Sequence, residues 1–330
     1  MKLCIIGCGW IAMSSHGPAL ARYAAGRADV ELAACCDPQI ERAGHFCAAF
    51  GFKRSYCDAQ EMIAAERPQA VWVLTPPPVT AEIAAGLLRQ GIAVLMEKPP
   101  GLTLAEAEKL HAAARETGTP HLVAFNRRFT PLVQRYLAEF AARFQPGDIQ
   151  YVRYEMARVG RTDEDFSTTA VHGIDAAAFL AASPYRRVEF HYQPLPALGA
   201  NVANVTLRCA LASGAEAHLA FLPVTGALTE RAAVFLHDHA FYLELPLNGG
   251  YDYPGRLLYL EKGRRVLEVT GPQAAGGSED WQLNGFYDEN AAFLDALRAG
   301  RRPPAGVETT LQSVAIMEAM RARQSLWEVK

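Results

Sequence analysis

Nothing in the 330 residues approaches the roughly 18–20 consecutive apolar positions of a membrane-spanning helix. A dominant charge of one sign is also missing. Thirty-two Lys and Arg against 35 Asp and Glu leave a net −3, so no general attraction to nucleic acid or an anionic membrane is expected. Cysteine is present without a pattern that carries chemistry. Six of the seven, Cys4, Cys8, Cys35, Cys36, Cys47 and Cys57, precede residue 58. The odd count and the lack of C-x-x-C spacing argue against a disulfide framework and a zinc site, so no metal is expected. Cys4, Cys35 and Cys36 lie in apolar, strand-like runs and read as small buried hydrophobes, which fits a reducing cytoplasm. The opening MKLCIIGCG runs into glycines too soon for a secretory signal, so none is expected there. Internal repeats and low-complexity tracts are absent. What remains is 50% apolar and 20% charged, an ordinary soluble globular balance, long enough for about two domains.

The first part of the chain alternates strand and helix patterns. Strands are expected at 2–6, 30–36, 70–75, 92–96 and 120–125. Helices are expected at 11–25, 39–50, 59–66, 79–90 and 103–117. Strands apolar at every position, separated by helices, imply a parallel, doubly wound Rossmann sheet. After about residue 148 the texture changes. IQYVRYEM (149–156), VANVTLRCAL (202–211), AEAHLAFL (215–222) and AFYLEL (240–245) alternate polar and apolar residues, the pattern of an antiparallel sheet covered on one face. LYLEKGRRVLEV (258–269) reads as a hairpin turning at Gly263. Helical patterns occupy 170–182, 286–299 and 307–323, the last two separated by GRRPPAG. The fold class is therefore α/β: a dinucleotide-binding domain over 1–122, then an α+β domain over 123–330 with a large, mostly antiparallel open sheet. The active site is expected in the cleft between them.

CIIGCGWIA contains Gly7-x-Gly9-x-x-Ala12, which follows the first strand and opens a helix. Gly7 permits the tight turn, Gly9 lets backbone approach a pyrophosphate, and Ala12 allows close helix–strand packing. Trp10 and Ile11 lie in the same loop. A helix N-terminus there favours phosphate. Asp37 ends the second strand, in ACCDP. A carboxylate at that point accepts the ribose hydroxyls of NAD and repels the 2′-phosphate of NADP, so NAD(H) is favoured over NADP(H). The bland alternative for Asp37 is a helix N-cap. Thr75 and Pro76 end the third long strand. They either flank a bound nucleotide or form a stiff strand-to-helix turn with Thr80 as N-cap.

The fourth, IAVLMEKPPG (92–101), ends in two opposite charges. Ligands of parallel sheets bind beyond the carboxyl ends of the strands, which would put Glu97 and Lys98 at a ligand rim. The alternative is a surface ion pair worth ~0–1 kcal/mol. A nicotinamide enzyme that oxidises an alcohol needs a base for the hydroxyl proton, and Lys98 is the candidate, with Glu97 orienting it or binding ribose. Farther on, in FSTTAVHGIDAAAFLA (166–181), His172 and Asp175 are three apart on an expected helix and share a face. A satisfied helix histidine is the competing reading. His16 and His218 read as packing or surface residues.

The glycine loop, Asp37, MEKPPG, FNRRF (125–129), HGID and the closing GFYDENAAFLDAL together resemble the Gfo/Idh/MocA oxidoreductases, over nearly the whole chain. The resemblance implies that Lys98 is the catalytic lysine and that His172 is a second catalytic or substrate-binding residue. It implies that Asn126 and Arg127 line the substrate pocket, and that the open sheet buries a face in a homodimer or homotetramer. The family's sugar and inositol dehydrogenases usually carry aspartate four residues before the histidine. Here Thr168 stands there, able to hydrogen-bond substrate but not to serve as a carboxylate base. Asp163, Asp165 and Asp175 are the nearby carboxylates that could compensate, and Thr168 and Asp175 are expected to bind substrate. The function implied is hydride transfer between a nicotinamide and a sugar, polyol or related small molecule. A non-catalytic dinucleotide-binding regulator is the alternative.

Overall fold

A computed structural model describes residues 1–329 and divides into two compact units. The first unit comprises Met1–Phe125 together with Phe286–Val314; the second comprises Asn126–Gly285 and the residues from Ala315 onward. The chain leaves the first unit near the expected boundary, but residues 286–314, which the sequence placed in the second domain, pack in the first. The reason lies in the helix Phe286–Arg298. Its Phe293 stacks edge-on against the buried Trp72 with ring centroids 5.4 Å apart.

Strands β1 (Lys2–Ile6), β2 (Glu31–Cys36), β3 (Arg54–Tyr56), β4 (Ala70–Val73), β5 (Ala93–Glu97) and β6 (His121–Ala124) form one parallel sheet in the order β3-β2-β1-β4-β5-β6. The sequence did not mark β3, which is three residues long and has no apolar stripe. Helices α1 (Gly17–Ala24), α2 (Ile40–Phe50), α3 (Ala59–Glu66), α4 (Pro77–Arg89) and α5 (Leu104–Thr117) connect the strands. Both faces of the sheet are covered, so β4, AVWV, is buried at every position. α5 opens on a full capping box, Thr103 with Glu106, and closes on Gly118 at φ 66°. The order reverses direction between β1 and β4, the switch point at which such sheets bind nucleotides.

The second unit holds nine strands: β7 (Ile149–Ala157), β8 (Tyr185–Pro194), β9 (Ala203–Leu211), β10 (Glu216–Leu222), β11 (Thr229–Leu236), β12 (His239–Glu244), β13 (Arg256–Glu261), β14 (Arg264–Thr270) and β15 (Leu326–Glu328). Their order is β14-β13-β12-β11-β7-β10-β9-β8-β15, antiparallel throughout except for the parallel pair β7–β10. Helices α6 (Pro131–Ala141) and α7 (Ser167–Ala181) join one face in a single core with Val152, Tyr154, Leu207, Leu219 and Phe221. Along β7 the residues Val152, Tyr154 and Met156 are buried there, while Tyr151, Arg153 and Glu155 alternate onto the other face. That other face carries polar residues around an aromatic strip, Tyr151–Phe235–Tyr242, with centroids 5.9 and 5.7 Å apart.

Gly173 leaves no room for a side chain between α7 and the sheet. A Cβ added at Gly173 would meet Phe221 at 2.6 Å and Tyr154 at 2.8 Å. Glycine inside a helix costs roughly 0.5–1 kcal/mol relative to alanine. Here it admits the two rings, and the neighbouring His172 is 8% exposed.

Candidate active site

In the first unit, β1, β2, β4 and β5 all point their carboxyl ends toward the same edge. Gly7 follows β1 at φ 96°, donates its N–H to Cys36 O at 2.8 Å, and stands so close to β4 that a Cβ would lie 2.5 Å from Leu74 O. Only glycine satisfies both the positive φ and that approach. At Gly9 the situation is the opposite: an added Cβ meets nothing within 4 Å. The loop there faces open space, as a backbone that receives a phosphate must. The helix begins at Trp10, and its first turns, Ala12–His16, are π-helical. Trp10 is 79% exposed and Ile11 partly buried. This cradle fits a dinucleotide.

Asp37 caps the end of β2, 7% exposed. One carboxylate oxygen accepts from Cys8 N at 3.0 Å, the other from Gln39 N at 2.9 Å. The carboxylate is thus locked to the glycine loop and to the turn that opens α2, with lone pairs remaining on both oxygens. Thr75 and Pro76 close β4's end. Thr80 is not the N-cap of α4: that position is Pro76, and the Thr80 hydroxyl lies within the helix, reaching back to Thr75 O at 3.0 Å and Thr75 Oγ1 at 2.9 Å.

Glu97, the last residue of β5, is held by groups that the sequence did not connect to it. Its Oε1 lies 3.1 Å from Nε2 of His16, whose side chain is fully buried. Nδ1 of His16 accepts from Asn290 Nδ2 at 3.1 Å, and Trp72 Nε1 donates to Asn290 Oδ1 at 2.6 Å. Asn290 also donates to Phe286 O at 2.6 Å. Since Asn290 donates to Nδ1, the imidazole proton resides on Nε2 and points at Glu97. The other Glu97 oxygen accepts the backbone N–H of Lys98 at 3.2 Å, and both residues are partly buried. The Glu97 carboxylate is thus tied to the interior of the unit through His16. Asn290 carried a signal in the sequence: in FYDENAAF it is a polar residue spaced with Phe286 and Phe293 on the helix face that is buried.

In the second unit the FNRRF stretch forms a 3₁₀ turn, Asn126–Phe129, just before α6. Asn126 is 2% exposed. It donates to Asn284 O at 2.9 Å and accepts from Arg127 Nη1 at 2.9 Å. Arg127 forks onto the fully buried Glu230 of β11, with Nε 3.0 Å and Nη2 2.9 Å from its two oxygens. Arg158 and the Tyr154 hydroxyl complete that carboxylate's partners. Burial pushes the Glu230 carboxyl up, but the two guanidiniums and the tyrosine more than offset it and hold the group well below the usual carboxylate range.

Arg128 takes Asp175 in the same forked manner, with Nε 2.8 Å from Oδ2 and Nη2 on Oδ1. Asp175 was expected to contact substrate. It is 2% exposed, and both its oxygens are engaged by the guanidinium inside the unit. The pair ties α7 to the 3₁₀ turn and so fixes the helix that carries His172. Thr168 sits one turn before His172, partly buried, its hydroxyl donating to Asp165 O at 3.2 Å. Asp165 accepts from Ser167 N at 2.9 Å at the start of α7, and Asp163 pairs with Arg161 at 2.7 Å. Glu230, Arg158 and Arg128 carry no signal in the sequence, since nothing in a single chain pairs residues 47 to 103 positions apart. Among the described residues no three His, Cys, Asp or Glu side chains could hold a metal ion, and no helix is long and apolar enough to cross a membrane.

With this geometry in place, residues 1–125 match the model of the Gfo/Idh/MocA oxidoreductase family, NAD-binding Rossmann fold. The match covers the dinucleotide-binding part of the chain, 125 of its 330 residues. D-apiose dehydrogenase of Paraburkholderia graminis is 36% identical over 104 residues, 32% of this chain, and the match spans only 28% of that relative's length. 4-Carboxy-2-hydroxymuconate-6-semialdehyde dehydrogenase of a Sphingobium species is 24% identical over 304 residues, 87% of this chain and 89% of that one. A solved levoglucosan dehydrogenase, in complex with NADH and L-sorbose, superposes with a TM-score of 0.82 at 19% identity over 100% of this chain and 99% of the other, which shows that the two share a fold.

Proposed function

We propose that the protein is a nicotinamide-dependent oxidoreductase acting on the CH–OH group of a sugar, polyol or related small molecule. Bound nicotinamide would supply the hydride acceptor or donor. The chain supplies everything else. The glycine loop and the opening turn of its helix bind the pyrophosphate. Asp37 accepts ribose hydroxyls and favours NAD(H) over NADP(H). Trp10, Ile11, Thr75 and Pro76 flank the cofactor. Lys98 takes the hydroxyl proton on Nζ and returns it in the reverse direction, and Glu97 orients it. His172 is the second acid–base or substrate-binding residue, with Asn126, Arg127, Thr168 and Asp175 binding substrate and Asp175 also holding α7 through Arg128. The observation that carries this reading is the pair Glu97–Lys98 at the carboxyl end of β5, with Glu97 fixed by an interior histidine instead of facing solvent alone. A group so anchored beside a nucleotide cradle has a task beyond ion pairing.

Two relatives are named as dehydrogenases of D-apiose and of 4-carboxy-2-hydroxymuconate-6-semialdehyde, which supports nicotinamide-linked dehydrogenation and leaves the substrate broad. The half-covered sheet supports a homodimer or homotetramer joined through its outer face. The seven free cysteines support a reducing, cytoplasmic setting. Absorbance of the reduced nicotinamide, followed with a panel of sugars, polyols and their keto forms, tests the reading. NADH formation or consumption with at least one member is expected. NADH binding without turnover on any of them favours the non-catalytic regulator.

A further inference from the structure

One cluster in the first unit has no part in the proposed chemistry. Cys35, on β2, is fully buried; Cys47, near the end of α2, is partly exposed. Their sulfurs stand 2.8 Å apart. Each thiol also has a backbone carbonyl acceptor, Ala43 O at 3.3 Å for Cys35 and Arg54 O at 3.1 Å for Cys47. Both protons therefore have acceptors other than the partner sulfur, and the two sulfurs face each other. A disulfide bond is about 2.05 Å long, so joining them requires an approach of under ~1 Å. The contact with Cys35 holds the Cys47 thiol below its ordinary value and pushes that of Cys35 up, so the accessible sulfur is the one that ionises.

We propose that Cys35 and Cys47 form an oxidative modification site that closes to a disulfide under hydrogen peroxide and weakens the grip of Asp37 on dinucleotide. The Cys47 thiolate attacks one peroxide oxygen, the O–O bond breaks, and hydroxide leaves, giving a sulfenic acid on Cys47. The Cys35 sulfur then attacks the Cys47 sulfur, the S–O bond breaks, and the hydroxyl leaves as water with the Cys35 proton. Two thiols are oxidised, one peroxide is reduced, and two waters result once the hydroxide is protonated. The bond draws the last turn of α2 onto β2. Between these two attachment points lies the short turn that carries Asp37 and Gln39, tied to each other at 2.9 Å and to the glycine loop through Cys8 N. Displacing that turn moves the carboxylate. This second part rests on the reading of Asp37 as the ribose acceptor.

The test treats the full reduced chain with equimolar hydrogen peroxide, maps peptides by mass spectrometry, and titrates NADH before and after. A peptide linked through Cys35 and Cys47 is expected, reversed by dithiothreitol. An increase in Kd for NADH of about tenfold is expected, comparable to losing one hydrogen bond to a carboxylate. Cys47→Ser should give neither the link nor the change in affinity, and Cys35→Ser should trap the Cys47 sulfenic acid as a dimedone adduct. Oxidation of the exposed Cys57 with no linked peptide overturns the proposal, and so does a linked chain of unchanged affinity. If the reduced chain does not bind NADH, it is the cofactor reading that fails, and the linked peptide still decides the thiol chemistry.

Discussion

Glu97 and His16 are 81 residues apart, and Nε2 of the histidine lies 3.1 Å from the carboxylate, with the imidazole oriented from behind by Asn290. His16 is thus a positioning residue for the end of β5. His16→Ala is expected to lower kcat about tenfold, while His16→Asn, which keeps a donor, recovers part of it. Asn290→Ala strands the Trp72 N–H and should cost about 1–3 kcal/mol of stability. Steady-state kinetics and denaturant titration of the three variants separate positioning from folding. Wild-type kcat in His16→Ala would show that Glu97 needs no such support.

Lys98→Ala should reduce turnover by about 10²–10⁴-fold, the usual contribution of a general acid–base group. That is equivalent to roughly 2.7–5.4 kcal/mol of transition-state stabilisation. NADH affinity should persist, since the glycine loop and Asp37 are untouched. Lys98→Arg should recover little, because a guanidinium stays protonated. His172→Ala should also depress turnover, and Thr168→Ala less so. Kinetics on the substrate identified by the panel decide this. Near-normal turnover of Lys98→Ala removes the lysine from the mechanism.

Cofactor choice follows from the carboxylate at the end of β2. Titration should give a lower Kd for NADH than for NADPH, and Asp37→Ser should narrow the gap by relieving repulsion of the 2′-phosphate. A wild-type preference for NADPH contradicts the assignment.

The Glu230 cluster gives the stability of the second unit an acid limb. The carboxyl is held below its unfolded value of about 4.3, so its contribution is complete above that pH and fades as pH falls toward the folded value. Glu230→Gln leaves Arg127 and Arg158 buried without their counter-charge, and should cost about 3–5 kcal/mol near neutrality. It should also flatten the pH dependence. Urea unfolding between pH 7 and pH 3 measures both; equal acid sensitivity of variant and wild type would assign the limb to other carboxylates.

The outer face of the nine-stranded sheet should form the subunit interface. Sedimentation at micromolar concentration is expected to give a dimer or tetramer, and Phe235→Glu, in the centre of the aromatic strip, should shift it toward monomer. A monomeric wild type excludes this.

Periodicity alone marked most elements of both sheets, because burial on two faces yields unbroken apolar strands and burial on one yields alternation. The same local logic located the glycine loop, Asp37 and the Glu97–Lys98 strand end, since each follows from where a strand stops. Two kinds of feature were beyond it. β3 carries too few apolar residues to show a period, and the longer β8, β11 and α6 also went unmarked. Partnerships across long separations, His16 with Glu97, Arg127 with Glu230 and Arg128 with Asp175, depend on which surfaces meet when the chain collapses. A lone sequence lists the charges without pairing them, so the forked contact of Arg128 with the buried Asp175 could not be read from it. The return of residues 286–314 to the first unit has the same cause: the amphipathic helix is visible in the sequence, but the core that accepts Phe293 and Asn290 is decided only by the packed shape around Trp72.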